Sequence, residues 1–145
     1  MSVENITIKV ETADPCSVGN VAAILTEITS LLEKLVGSGE TSLIDLKSLP
    51  FSPGEYEQLR LTLGRGEVSA RLDAIGMSEI IETHFPGVWW VTHYNVEGDI
   101  VADLIEIATV PNILFSQPED VRAGLERLHV IVSQYADEQC TAKFL

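Results

Sequence analysis

The sequence predicts an α+β domain, an antiparallel meander of three to four strands with helices packed on one face. Three observations carry this. Segments near the two ends repeat apolar residues at alternating steps of four and three, the stretches between them alternate apolar with polar residues, and Gly, Pro and Asn punctuate those stretches at short intervals.

Asn5 to Glu11 sets Ile6, Ile8 and Val10 between polar neighbours, the pattern of a short strand or extended arm ahead of Asp14-Pro15. From Ser17, the residues Val21, Leu25, Ile28, Leu32 and Leu35 trace one helical stripe, with Gly37 as the expected stop because glycine tolerates the left-handed conformation that closes helices. Ser42 to Leu46 reads as an extended connection that ends at Leu49-Pro50, since a residue before proline avoids the helical region. Ser52, Pro53 and Glu55 then fit N-cap, first helical position and capping-box acid. They open a second helix with Tyr56, Leu59 and Leu63 on its buried side and Gly64 at its end.

Val68, Ala70, Leu72 and Ala74 alternate with Glu67, Ser69, Arg71 and Asp73, a strand that Gly76 breaks. The run Ile80 to Tyr94 is rich in β-branched and aromatic residues but contains Pro86-Gly87, so it is either two strands or one strand with a bulge. Tyr94-Asn95-Val96-Glu97-Gly98 predicts a hairpin turn, and Ile100 to Ala108 the returning strand. Ser116, Pro118 and Glu119 open the last helix, whose stripe is Val121, Leu125, Leu128, Val132 and Tyr135. The first and last helices are expected to bury their stripes on the sheet.

With 145 residues, 46% of them hydrophobic, the chain suffices for one domain: an N-terminal arm of about 1–16, a core of about 17–137 and a short C-terminal tail. The 22 acidic residues against 9 Lys plus Arg give a formal charge of −13, which repels phosphate backbones and anionic lipids. Nucleic acid and membrane surfaces are therefore not expected partners. Cys16 and Cys140 lie far apart in sequence and form neither a metal-ligand spacing nor a disulfide framework. The N-terminal residues lack the basic segment and apolar run of a secretory signal, and no apolar run approaches a membrane span, so a cytoplasmic protein is expected.

Several blocks recur in a fixed order: Ile44-Asp45-Leu46 with Leu49-Pro50, Leu63-Gly64-Arg65-Gly66-Glu67-Val68, Glu82-Thr83 followed by Pro86-Gly87-Val88-Trp89-Trp90-Val91, then Ile105-Glu106, Val110-Pro111, Ile113-Leu114, Gln117 and Glu119-Asp120. Together they resemble the C-terminal domain of the HupH/HyaF hydrogenase expression and formation proteins over roughly Asn20 to Leu128. The resemblance implies a non-catalytic accessory protein or chaperone for [NiFe] hydrogenase maturation. It would bind the small-subunit precursor or other maturation proteins and would need no cofactor.

The residues themselves suggest two sites. Glu82 and His84 are two apart and share a strand face, and His93 comes opposite them if Pro86-Gly87 turns, so a metal-binding or enzymatic site from these three is the alternative reading. No nucleophile elbow, phosphate loop or HExxH motif supports catalysis, and Gly64-Arg65-Gly66 lacks the third glycine of a dinucleotide fingerprint. Its glycines instead fit a tight helix-to-strand connection. Trp89 and Trp90 occupy adjacent strand positions, so they face opposite sides, and one of them is expected to stand exposed as a protein-binding anchor. The candidate partner-binding set is Glu82, Trp89, Trp90 and His93.

Overall fold

A computed structural model describes residues 15–143; the arm expected at Asn5 to Glu11 lies outside the described residues. The chain forms two compact units, Met1–Pro111 and Asn112–Leu145. In the first unit, α1 (Pro15–Ser38) precedes β1 (Ser42–Asp45), and a 3₁₀ turn at Leu46–Ser48 leads to α2 (Pro53–Leu63). Four strands follow: β2 (Ser69–Ala74), β3 (Gly76–Glu82), β4 (Val88–Tyr94) and β5 (Ile100–Ile107). The second unit holds a 3₁₀ turn at Asn112–Leu114 and α3 (Pro118–Lys143).

The sheet has five strands in the order β1-β5-β4-β3-β2, and every pairing is antiparallel. β2 to β5 make the expected meander. β1 is the addition, because the segment read as a connection pairs with β5 in the register Ile44↔Ile105. Only Ile44 of that four-residue strand is buried, so it carries too little alternation to announce itself.

Pro86-Gly87 proves to be a turn between two strands, not a bulge within one. Thr83 closes it, since both its backbone N–H and its hydroxyl donate to the Val88 carbonyl, at 3.0 and 2.9 Å. Glu82 then faces Trp89 across the hairpin. Between β4 and β5, the Asn95 N–H donates to the Asp99 carbonyl, and the Asn95 side chain accepts from the Asp99 N–H.

Helix ends follow local chemistry. α1 runs through the expected stop at Gly37 and ends one residue later, at Ser38, and its closing bond comes from the Gly39 N–H to the Leu35 carbonyl. α2 has both halves of the capping box: Ser52 Oγ accepts from the Glu55 N–H, and Glu55 Oε2 accepts from the Ser52 N–H. Asn20 of α1 donates to the other Glu55 oxygen at 2.9 Å, so one buried carboxylate caps α2 and ties it to α1. α3 starts one residue later than the Ser116 cap implied, with the Val121 N–H bonded to the Gln117 carbonyl.

Within the first unit, Val21, Ile24 and Ile28 of α1 and Leu59 and Leu63 of α2 meet Val88, Trp90, Ile105 and Ile107 on one sheet face. The α1 stripe is therefore turned slightly from the sequence reading, with Ile24 inside and Leu25 only partly buried. In the core of the first unit, α2 joins α1 on the sheet. In the second unit, Val121, Leu125, Leu128, Val132 and Tyr135 of α3 are all more than half exposed. Periodicity marks an apolar face but does not name the surface that receives it.

Candidate functional site

Strand alternation places Trp89 and Trp90 on opposite faces of β4, as expected. Neither stands exposed. Trp89 retains 5% exposure and Trp90 4%, which corrects the expectation of a free indole anchor. The reasons differ for the two rings. Trp89 folds its Nε1–H onto the Ala108 carbonyl at 3.0 Å, just beyond β5. Trp90 is roofed by α2, where Tyr56 meets it edge-to-face at 5.5 Å between centroids and the Arg60 guanidinium lies 4.8 Å from its ring centre.

Beneath that roof lies the polar centre of the fold, which the sequence reading missed. Asp103, 3% exposed, accepts from Trp90 Nε1 at 2.7 Å and from Thr92 Oγ1 at 2.9 Å through one carboxylate oxygen, and from the Tyr56 hydroxyl through the other. Burial, with the neighbouring Asp103 carboxylate, pushes the Tyr56 hydroxyl from its ordinary 10.0 up to about 12, against a smaller opposing pull from Arg60. Tyr56 thus stays a proton donor throughout the physiological range. Three donors around one carboxylate satisfy a charge that would be costly to bury alone. The set joins α2, β4 and β5. A sequence signal existed: Asp103 shares a strand face with Ile105 and Ile107, where an acid is out of place unless it is partnered.

The metal alternative loses its geometric premise. Glu82 pairs with Trp89 at one end of the β3–β4 hairpin, whereas His93 pairs with Ser78 four positions away, and its Nδ1 lies 2.7 Å from the Ser78 hydroxyl. At about 3.3 Å per residue, that separation exceeds any shared coordination sphere. His84 lies past the end of β3, with its backbone N–H on the Leu63 carbonyl. Among the described residues no three His, Cys, Asp or Glu gather as metal ligands.

That His84 contact explains the Gly64-Arg65-Gly66 block. Gly64 adopts φ +67°, and a Cβ there would come within 2.5 Å of the His84 ring; a Cβ on Gly66 would meet the Thr83 carbonyl oxygen at 2.5 Å. The glycines let the α2–β2 connection lie against the end of β3, as the sequence reading expected.

The ordered blocks and this fold lead to one comparison. The family model described as "HupH hydrogenase expression protein, C-terminal conserved region" matches residues 18–135. The chain belongs to that family. A solved structure of the hydrogenase expression protein HupH from Thiobacillus denitrificans superposes with a TM-score of 0.77 at 43% identity, covering 80% of this chain and 97% of that one. The hydrogenase expression/formation protein HoxQ of Cupriavidus necator is 31% identical over 79% of this chain and 40% of its own length. HupH of Rhodobacter capsulatus is 29% identical over 78% of this chain and 41% of its own length. The chain thus corresponds to about two fifths of each of these two curated relatives. No described helix of the chain is long and apolar enough to cross a membrane.

Proposed function

We propose that this chain is a cytoplasmic, non-catalytic accessory protein of [NiFe] hydrogenase maturation that holds the precursor of the small subunit. The family match over residues 18–135, to proteins named for hydrogenase expression, carries the reading. The interior supports it: the buried carboxylates Glu55 and Asp103 are committed to holding elements together, which suits a binding scaffold better than a reaction centre. Of the candidate contact residues, Glu82 and His93 keep partial exposure on the sheet face that bears Trp89, and they remain proposed contacts. Trp89 and Trp90 would contribute by shaping the sheet, not by inserting into a partner.

The test is co-purification of the tagged chain from cells expressing a hydrogenase operon, with the bound proteins identified by mass. Recovery of the small-subunit precursor, reduced by Glu82→Gln together with His93→Gln, is the expected result. Recovery of no hydrogenase component would overturn the role, and undiminished recovery with the double variant would remove these two contacts.

A further inference from the structure

Arg60, Leu61, Gly64, Arg65, Ile81 and Trp90 line a groove of about 240 Å³ between α2 and the β3–β4 surface. The geometry points to this groove as the docking site for a carboxylate-bearing side chain, flanked by aliphatic residues, on a segment of a partner protein. The inference rests on the reading of the chain as a protein-binding accessory, and it adds where and by what chemistry a partner is held.

Charge is the first argument. The chain has 22 acidic residues for 9 Lys plus Arg, so an arginine here has acids in ample supply. Yet the carboxylate ion pair among the described residues is Arg71–Asp73, and neither Arg60 nor Arg65 has a carboxylate within 4 Å. Among the described residues, two arginines with no salt-bridged carboxylate line this one groove, a local positive site on an acidic protein. Long-range repulsion of an acidic segment by the rest of the chain is screened beyond about 8 Å at physiological ionic strength, whereas contact in the groove lies inside that distance.

Orientation is the second argument. Arg60 lies over the Trp90 ring, 4.8 Å from its centre, and also reaches toward the Tyr56 hydroxyl; with five N–H donors in one plane, a guanidinium stacked on an indole and turned to one hydroxyl still has donors for a second partner. Stacking thus holds the fork ready for bidentate carboxylate recognition, at little further loss of side-chain freedom. Size decides the class of ligand, because about 240 Å³ falls below the range of about 300 to 1,000 Å³ that small-molecule sites occupy. Leu61, 69% exposed at the lip, offers the apolar contact for a flanking aliphatic residue.

The probe is the peptide acetyl-Gly-Leu-Glu-Leu-Gly-amide, compared with its Gln counterpart and titrated into the full isotope-labelled chain. The Glu peptide is expected to shift the Trp90 indole N–H and the Arg60 and Arg65 side-chain N–H signals, and the Gln peptide to bind at least about tenfold more weakly. Arg65→Gln, at an exposed position that leaves the fold intact, should weaken the Glu peptide at least about fivefold; Arg60→Lys, which keeps the charge but lacks the fork, should weaken it too. Arg122→Gln on α3 should change nothing. Equal binding of the two peptides, shifts confined to other residues, or an Arg65→Gln chain that binds as well as the parent would each overturn the groove. If the parent chain captures the hydrogenase precursor and Arg65→Gln captures it equally, the groove is wrong while the accessory role stands. If the Glu peptide shifts these signals but no hydrogenase component is captured, the groove stands and the accessory role falls.

Discussion

Tyr56 of α2 donates its hydroxyl proton to Asp103 of β5, and that bond, with Arg60 beside it, holds the second helix over the buried face of Trp90. The Tyr56 hydroxyl titrates at about 12 in the fold against an ordinary 10.0. A group that holds its proton more tightly when folded adds stability that is complete below its unfolded value and lost as the pH rises through the folded one. The denaturation midpoint should therefore be insensitive to this group up to about pH 10 and fall between about pH 10 and 12. Tyr56→Phe should lower the midpoint at neutral pH and flatten this high-pH decline. Asp103→Ala strands three donors and should cost about 3 kcal/mol or more. A Tyr56→Phe chain with the parent's full decline above pH 10 would contradict the assignment.

The connection between α2 and β2 makes a separate claim. Gly64 combines φ +67° with ψ −164°, a region open in practice only to glycine, so Gly64→Ala should cost about 1 to 3 kcal/mol in chemical denaturation. Gly66→Ala should cost more, because its methyl group would meet backbone at Thr83 instead of a side chain that can swing aside. Equal and negligible effects at both positions would mean that the close approach to β3 does not matter to stability.

Two leucines with the same role in the sequence pattern should respond differently to truncation. Leu59 of α2 is fully buried, and Leu59→Ala should cost about 2 to 5 kcal/mol. Leu125 of α3 is 53% exposed, and Leu125→Ala should stay within about 0.5 kcal/mol in the isolated chain. A large loss at Leu125 would show that the α3 stripe is buried in solution.

Local chemistry determined much of this protein directly from the sequence. The capping box at Ser52 and Glu55, the return strand from Ile100, the Asn95–Gly98 hairpin and the opposite facing of Trp89 and Trp90 all depend on neighbours within a few residues, so the letters contain them. The ordered blocks around Gly64 and Pro86 likewise sufficed for the family. What the sequence left open depended on residues distant along the chain. Whether Pro86-Gly87 turned or bulged depended on β3 and β4 finding one register, and whether Ile44 joined the sheet depended on β5 offering a free edge. Trp90 became a buried partner because Tyr56 and Asp103, 47 positions apart, close around it. Glu82, His84 and His93 failed to form a site because the hairpin register separates residues that spacing alone could bring together. Periodicity reports which face of an element is apolar or polar; only the packing of elements against one another decides what that face meets.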